Sequence, residues 1–157
     1  MAKTVTLVDG AAPERVSTSR ALFEEYADSL AIDLCFQGFD QELAELPGAY
    51  APPRGRLVIA VVDGEAAGCV ALRPLEDGDC ELKRLYVRPQ RRGLGLGRRL
   101  AEEALAAARE LGYRRIVLDT LPSMSEAQAL YRALGFREID AYTENPVPGA
   151  TFMAVDL

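Results

Sequence analysis

The most chemically informative stretch of this 157-residue sequence is a glycine-rich loop, Arg92-Gly93-Leu94-Gly95-Leu96-Gly97-Arg98, between an apolar run and a helical pattern. Its three glycines allow the backbone to approach a ligand closely. The helix that follows presents unpaired N–H groups and the positive end of its dipole at the same place. Because arginines flank the glycines in a chain of net charge −6, the loop predicts a site for a phosphorylated ligand.

Three kinds of phosphorylated ligand could use such a loop. A nucleoside triphosphate loop needs lysine and then serine or threonine after its last glycine, whereas Gly97 is followed by Arg98 and Arg99. A dinucleotide fingerprint needs a third glycine or alanine where this chain has Leu100 or Arg98, depending on the alignment. Asp119 stands where a ribose-binding acid would, so the dinucleotide reading stays open. The third candidate is the pyrophosphate of coenzyme A.

The hydrophobic pattern places this loop within an alternating order of strands and helices. Strands are predicted at 3–8, 57–62, 66–72, 80–87, 115–119, 136–140 and 151–156, and helices after Pro13, at 40–46, from Gly97 onward and at 125–134. Asp63-Gly64 is typical of a tight hairpin turn between two of the strands. The order predicts an α/β fold with a mixed, mostly antiparallel central sheet flanked by helices, in a single domain spanning residues 1–157.

Composition narrows the classes of partner. Apolar residues make up 49% of the chain and charged residues 27%, as in ordinary globular proteins. The acidic balance argues against nucleic acid, and the lack of an apolar run of about 20 residues argues against a membrane, so we expect a cytoplasmic protein. Cys35, Cys69 and Cys80 are odd in number and the chain has no histidine, so we expect core cysteines, without disulfides or a metal site.

Read as Arg92-Gly93-Leu94-Gly95-Leu96-Gly97, the loop resembles the acetyl-CoA loop of the GNAT N-acetyltransferase superfamily, the acyl-CoA N-acyltransferases. The spacing of Gln90 to Gly95 fits the same pattern. The preceding stretch Lys83-Arg84-Leu85-Tyr86-Val87-Arg88-Pro89 and the later helix ending in Leu134-Gly135-Phe136 are also similar to members of the family. The likeness covers residues 57–157 well, whereas residues 1–56 match only in their strand and helices.

The resemblance implies an enzyme that transfers acetyl from acetyl-CoA, its co-substrate, to a primary amine of a small molecule by direct attack in a ternary complex. A protein N-terminal or lysine acetyltransferase and a non-catalytic CoA-binding protein remain alternatives. The resemblance also implies strands that splay at the acetyl-CoA site. The residues that it assigns to acetyl-CoA are Leu85, Tyr86, Val87, Arg92, Gly93, Leu94, Gly95, Leu96, Gly97, Arg98 and Ser125, the last standing where many relatives carry asparagine.

Two side chains receive catalytic roles from the resemblance. Tyr131 aligns with a tyrosine that protonates the departing thiolate, and a phenol is a reasonable acid for that step. Glu81 is the candidate general base, with a solvated strand carboxylate and an amine that arrives neutral as the alternatives. We expect the acceptor pocket to be lined by the N-terminal helices, the proline-rich loop near Tyr50 and the segment 142–149. The last strand, 151–156, could also pair two subunits in a homodimer.

Overall fold

The computed structural model describes residues 3–30, 34 and 38–157. The strands are β1 (Val5–Asp9), β2 (Arg56–Val62), β3 (Glu65–Pro74), β4 (Asp79–Val87), β5 (Arg115–Thr120), β6 (Arg137–Ile139) and β7 (Thr151–Asp156). The helices are α1 (Val16–Ser29), α2 (Phe39–Glu45), α3 (Leu96–Glu110) and α4 (Ser125–Ala133). The strands form one seven-stranded sheet in the order β1-β2-β3-β4-β5-β7-β6. The predicted α/β class and the predicted order of elements are confirmed.

The sheet changes direction once, between β4 and β5, and this pairing is short. All the other neighbouring strands run antiparallel, whereas β4 and β5 are parallel and pair only through residues 79–81 and 115–117. Beyond Glu81, β4 continues to Val87 without pairing to β5, while β5 stays paired with β7 as far as Thr120. The two strands therefore separate, and the predicted splay is confirmed.

A hydrophobic core covers each face of the sheet, because successive side chains of a strand point to opposite sides. On one face α3 packs against residues of β2 to β5, among them Val70, Leu72, Cys80, Leu82 and Ile116. On the other face α1 and α2 pack over residues that include Ile59, Cys69, Ala71 and Tyr86. The alternation along β4 thus sends Glu81 to the face covered by α1 and α2, opposite Cys80 and Leu82.

The hairpin turn between β2 and β3 forms as its sequence indicates. Asp63 and Gly64 have φ angles of 50° and 83°, and Val62 lies opposite Glu65. Two consecutive residues with positive φ match the twist of the flanking strands, which explains the Asp-Gly dipeptide. The turn fixes the register of the two strands that carry much of the core.

Some boundaries differ from the prediction. Helix α1 begins at Val16 rather than near Pro13, because residues 11–15 form turns in which the Arg15 amide bonds the carbonyl of Ala12. Strand β6 is limited to three residues, since it pairs only with β7. Cys69 and Cys80 are buried as predicted, and Cys35 lies outside the described residues. Among the helices of the described ranges, none has the length and apolar character needed to cross a bilayer.

We expect Gly68→Ala to lower the free energy of unfolding by about 1–3 kcal/mol, since overpacking a core has costs of that size. Gly68 lies in β3, and a Cβ atom there would clash with the carbonyl oxygen of Tyr86 and approach Leu100 on α3. Urea unfolding of the ligand-free protein measures the change.

Gly97→Ala is the matched control for this substitution. Gly97 lies in the first turn of α3, where a Cβ would meet neighbours only at 3.8 Å or more. The alanine should therefore raise the free energy of unfolding by about 0.5 kcal/mol, because it restricts the unfolded chain. Equal effects of the two substitutions would contradict the close approach of β3 to β4.

Candidate active site

A cavity of about 570 Å³ opens where β4 leaves β5. Its volume lies within the range of small-molecule and cofactor sites in proteins. Four parts of the chain meet around it: the end of α1, the end of β4, the glycine loop with the start of α3, and the start of α4 with the residues before it. Sequence-distant elements thus converge on one space that the separation of the strands creates.

The glycine loop bends so that the amino end of α3 is directed at this cavity. Gly93 and Gly95 have φ angles of 86° and 73°, a backbone region that side chains other than glycine rarely occupy. A Cβ added to either would meet no atom within 4 Å, so the need for glycine is conformational. Gly95 is the residue before α3, and its carbonyl accepts the Arg99 amide. A 15-residue helix therefore begins at the cavity wall, with unpaired N–H groups and a positive dipole end.

The structure brings most of the residues predicted for acetyl-CoA to this cavity. The predicted residues that line it are Leu85, Tyr86, Val87, Arg92, Gly93, Gly95, Leu96, Gly97 and Ser125. Leu94 and Arg98 are not among the residues around it: Leu94 is exposed, and the Arg98 guanidinium pairs with Glu102 one turn along α3 at 3.5 Å. The exposed Arg92 lines the cavity while its Nε donates to the Val87 carbonyl at 3.3 Å.

Eight further residues line the cavity, and no local pattern in the sequence assigns them to it. These residues are Tyr26, Ser29 and Leu30 at the end of α1, and Ser123, Met124, Glu126, Ala127 and Leu130 around the start of α4. The turn before α4 is held by the Gln128 side chain, which donates to the Leu121 carbonyl at 2.7 Å. The start of α4 is thereby fixed at the cavity wall.

A smaller cavity of about 40 Å³ adjoins the first and contains the predicted proton donor. Tyr131 lines it together with Lys83 and Asp119, and Tyr26, Leu85, Met124 and Ala127 line both cavities. Within the described ranges the Tyr131 hydroxyl has no hydrogen-bond partner, although the residue is only 6% exposed. Burial raises the pKa of Tyr131 far above its ordinary value, with smaller contributions from Tyr26 and Asp119. The hydroxyl is therefore a neutral donor available to a ligand.

Glu81, the predicted base, lies outside both cavities. The residue is 1% exposed, and one carboxylate oxygen accepts from Arg73 Nε at 2.7 Å while the other accepts from the Tyr142 hydroxyl. Burial would raise the pKa of this carboxyl, but Lys83, Arg73 and the Tyr142 hydrogen bond together hold it below its usual value. Glu81 is thus an ionised, three-partner anchor that ties the 142–149 segment to β4.

Two parts of the predicted acceptor region, the loop near Tyr50 and the 142–149 segment, make hydrogen bonds to neighbouring carboxylates. Tyr50 is only 2% exposed, and its hydroxyl donates to Glu42 of α2 at 2.9 Å. The 142–149 segment also contacts the sheet at Asp119. The Asp119 carboxylate accepts a hydrogen bond from Asn145 Nδ2 at 3.0 Å. In the described parts of the chain no cluster of three or more acidic, cysteine or histidine side chains could hold a metal ion.

Comparisons with known proteins agree with this geometry. The profile of the acetyltransferase (GNAT) family matches residues 19–136. An uncharacterized N-acetyltransferase of Schizosaccharomyces pombe is 40% identical over 147 residues, covering 92% of this chain and 90% of that protein. N-acetylaspartate synthetase of Rattus norvegicus is 35% identical over 112 residues, covering 70% of this chain and 38% of that protein.

The fold also has solved counterparts. The crystal structure of a GNAT-family acetyltransferase from Staphylococcus aureus Mu50 superposes with a TM-score of 0.80 at 20% identity, covering 98% of this chain and 99% of that one. The profile match and the full-length relative rest on sequence, and the superposition adds the arrangement of the elements. This chain therefore belongs to the acetyltransferase (GNAT) family of acyl-CoA-dependent N-acetyltransferases.

Proposed function

We propose that this enzyme transfers the acetyl group of acetyl-CoA to the primary amine of a small molecule by direct attack within a ternary complex. The observation that carries the proposal is the pair of adjoining cavities between β4 and β5. The larger has the amino end of α3 at its wall, and the smaller contains the hydroxyl of Tyr131, which has no hydrogen-bond partner among the residues that the structure describes. We assign phosphate binding to the start of α3 and proton donation to Tyr131, in two cavities that share lining residues.

The residues of the larger cavity fit the parts of acetyl-CoA. The amide groups from Gly93 to Gly97 and the dipole of α3 suit a pyrophosphate, and Arg92 adds a formal positive charge. The end of β4, from Leu85 to Val87, offers backbone groups and apolar side chains to an extended arm. Acetyl-CoA supplies the acetyl group as an activated thioester. Leu94 and Arg98 we assign to the outer rim of the site.

The reaction forms a bond between the amine nitrogen and the acetyl carbon and breaks the bond between that carbon and sulfur. The nitrogen loses one proton to water, the departing sulfur gains one from Tyr131, and water returns a proton to the tyrosinate. Burial raises the pKa of Tyr131, so the hydroxyl stays protonated until it is needed. The same enclosed surroundings disfavour a charged thiolate as well, so the affinities of the two groups for the proton rise together.

The contacts of Glu81 favour positioning over proton acceptance. A carboxylate with a lowered pKa is a weak base, and this one is enclosed by Arg73, Lys83 and Tyr142. We infer that the amine arrives neutral and that Glu81 holds Tyr142 and its segment beside the site. The role of base remains a prediction from the sequence, and the substitutions described below test it.

The likeness to N-acetylaspartate synthetase supports a small molecule as the acceptor. N-acetylaspartate synthetase is named for a small acetylated amino acid, and its likeness to this chain spans 112 residues. Charged side chains of both signs near the smaller cavity, Lys83 and Asp119, suit a small polar amine. Protein acceptors are tested in the same experiment: thiol release from acetyl-CoA is measured with a panel of amino acids and amines and with lysine-containing and N-terminal peptides.

We expect Gly95→Glu to raise the dissociation constant for acetyl-CoA about tenfold or more, because it places a carboxylate at the amino end of α3. Gly64→Glu is the matched control, since both glycines have positive φ and open space around the added Cβ, but Gly64 lies in the β2–β3 hairpin. The strain of about 1–2 kcal/mol is common to both. Calorimetric titration showing equal losses for the two variants would contradict the pyrophosphate assignment.

Tyr131→Phe should lower kcat by about 10²- to 10⁴-fold with little change in acetyl-CoA binding, as expected for loss of a general acid. Because the pKa of Tyr131 is raised, the wild-type kcat should show no alkaline fall near pH 10, about the usual tyrosine pKa. Tyr113→Phe is the control, since the Tyr113 hydroxyl bonds the Arg54 carbonyl away from both cavities. An unchanged kcat for Tyr131→Phe would remove the tyrosine from the mechanism.

Glu81→Gln and Tyr142→Phe should each lower kcat by about tenfold or less, because each disturbs the Glu81–Tyr142 hydrogen bond that positions the 142–149 segment. Glu81→Gln should also lose stability, since it removes the charge that pairs with Arg73 and Lys83. The acid limb of the kcat/KM profile should stay in place in Glu81→Gln, since the amine itself sets that limb. A loss of about 10²-fold or more in Glu81→Gln alone, with the limb displaced, would establish Glu81 as the base.

A further inference from the structure

Strand β4 contains a bulge at the point where it reaches the two cavities. Tyr86 lies opposite Cys69 and Lys83 lies opposite Ala71, so Val70 alone faces both Arg84 and Leu85. Arg84 has a φ of 62°, a left-handed conformation that costs a residue with a side chain about 1–2 kcal/mol. The next residue, Leu85, lines both cavities. The direction of the peptide groups entering the site therefore depends on how Arg84 is held.

Arg84 is held from several sides. Its Nε and Nη2 donate to the two oxygens of Glu42 at 2.9 and 3.0 Å, and the Tyr50 hydroxyl donates to the same carboxylate at 2.9 Å. The guanidinium carbon also lies 5.1 Å from the ring centre of Phe39 and 5.8 Å from that of Tyr26. We refer to the side chains of Arg84, Glu42 and Tyr50 as the Arg84 clamp.

Forming the Arg84 clamp has a desolvation cost, because it removes two charged side chains from water. The Arg84 side chain is 2% exposed and that of Glu42 is 17% exposed, so both charges give up most of their water. A buried ion pair is often no more stabilising than apolar side chains of similar size. Glycine would also adopt the bulge conformation without strain. Unlike apolar side chains or glycine, the clamp fixes Arg84, the residue before Leu85, in one orientation through two parallel hydrogen bonds.

We propose that the Glu42–Arg84 pair is a positioning device, which holds the β4 bulge so that the peptide groups after Arg84 point at the acetyl thioester. The proposal rests on the proposed acetyl transfer. It makes α2 a contributor to the chemical step although neither cavity is lined by Glu42. A device of this kind acts on the rate of the chemical step more than on cofactor affinity, because the glycine loop and α3 stand apart from it.

The Asp79 carboxylate provides a matched control on the same strand. It is also buried and bound by two arginines, accepting from Arg114 at 2.9 Å and from Arg115 at 2.9 Å. It lies at the opposite end of β4 from the bulge, where β4 and β5 are still paired. Asp79→Asn neutralises a buried carboxylate of β4, and Glu42→Gln neutralises a partly buried carboxylate beside β4. Only the second carboxylate is bound to the bulge residue, Arg84.

The first readout is amide hydrogen exchange in the ligand-free protein, followed in peptic fragments that cover residues 82–88. Glu42→Gln and Arg84→Gly should each raise the exchange rate there about tenfold relative to wild type, whereas Asp79→Asn should leave it unchanged within about twofold. Arg84→Gly keeps the bulge conformation accessible, so it tests the clamp without backbone strain. Unchanged exchange in both clamp variants would overturn the proposal, whatever the enzyme acetylates.

The second readout is the division of the effect between kcat and acetyl-CoA affinity. Glu42→Gln should lower kcat about tenfold or more while the dissociation constant for acetyl-CoA changes less than about threefold. Asp79→Asn should lose stability and keep its kcat. Equal kcat for the two variants would reduce the clamp to a structural contact. Absence of acetyl transfer in the wild type would refute the proposed function instead, and the exchange experiment would still decide whether the clamp holds the bulge.

Discussion

The parallel pairing of β4 with β5 stops after three residues, and the site exists because it stops there. A parallel pair that continued to Val87 and Thr120 would fill the space that the larger cavity occupies. Strand β5 does not lose its other neighbour, since β7 pairs with it along its whole length. The sheet therefore opens on one side of β5 only, and the opening is supported by a continuous ladder on the other side.

Side-chain ion pairs connect the part of β4 that is not paired with β5 to the helices on one face. Charged groups that leave water need such partners, because unsatisfied buried polar groups are costly. Arg88, at its end, binds Glu25 of α1 at 2.7 Å, and Arg84 binds Glu42 of α2 at 2.9 Å. Two ion pairs between arginine and glutamate thus connect α1 and α2 to the free part of β4. The N-terminal helices are in this way part of the site's framework and more than a cover for it.

The order of elements and the glycine loop were accessible from the sequence because their signals are local. Helical spacing in α3, the Asp63-Gly64 turn and the three glycines each depend on residues a few positions apart. Tyr131 and its neighbours were accessible through their likeness to a family motif. The same signals located nine of the predicted acetyl-CoA residues at the cavity.

The contacts that give Glu81 and Arg84 their surroundings were not accessible in this way. Glu42 and Arg84 are 42 positions apart, and Glu81 and Tyr142 are 61 apart. Such pairs arise from the packing of whole elements, and a single sequence carries no periodicity that links them. This is why the sequence predicts a base at Glu81 but gives no sign of the contacts with Arg73, Lys83 and Tyr142 that surround it.

The Arg84 clamp also bears on how this enzyme could be redesigned. Here the segment from α2 to Tyr50 carries two of the three side chains that hold the β4 bulge. A transplanted segment that lacks a carboxylate at position 42 would leave Arg84 buried without that partner. Successful chimeras should therefore retain Glu42 and Tyr50, or replace Arg84 with glycine at the same time.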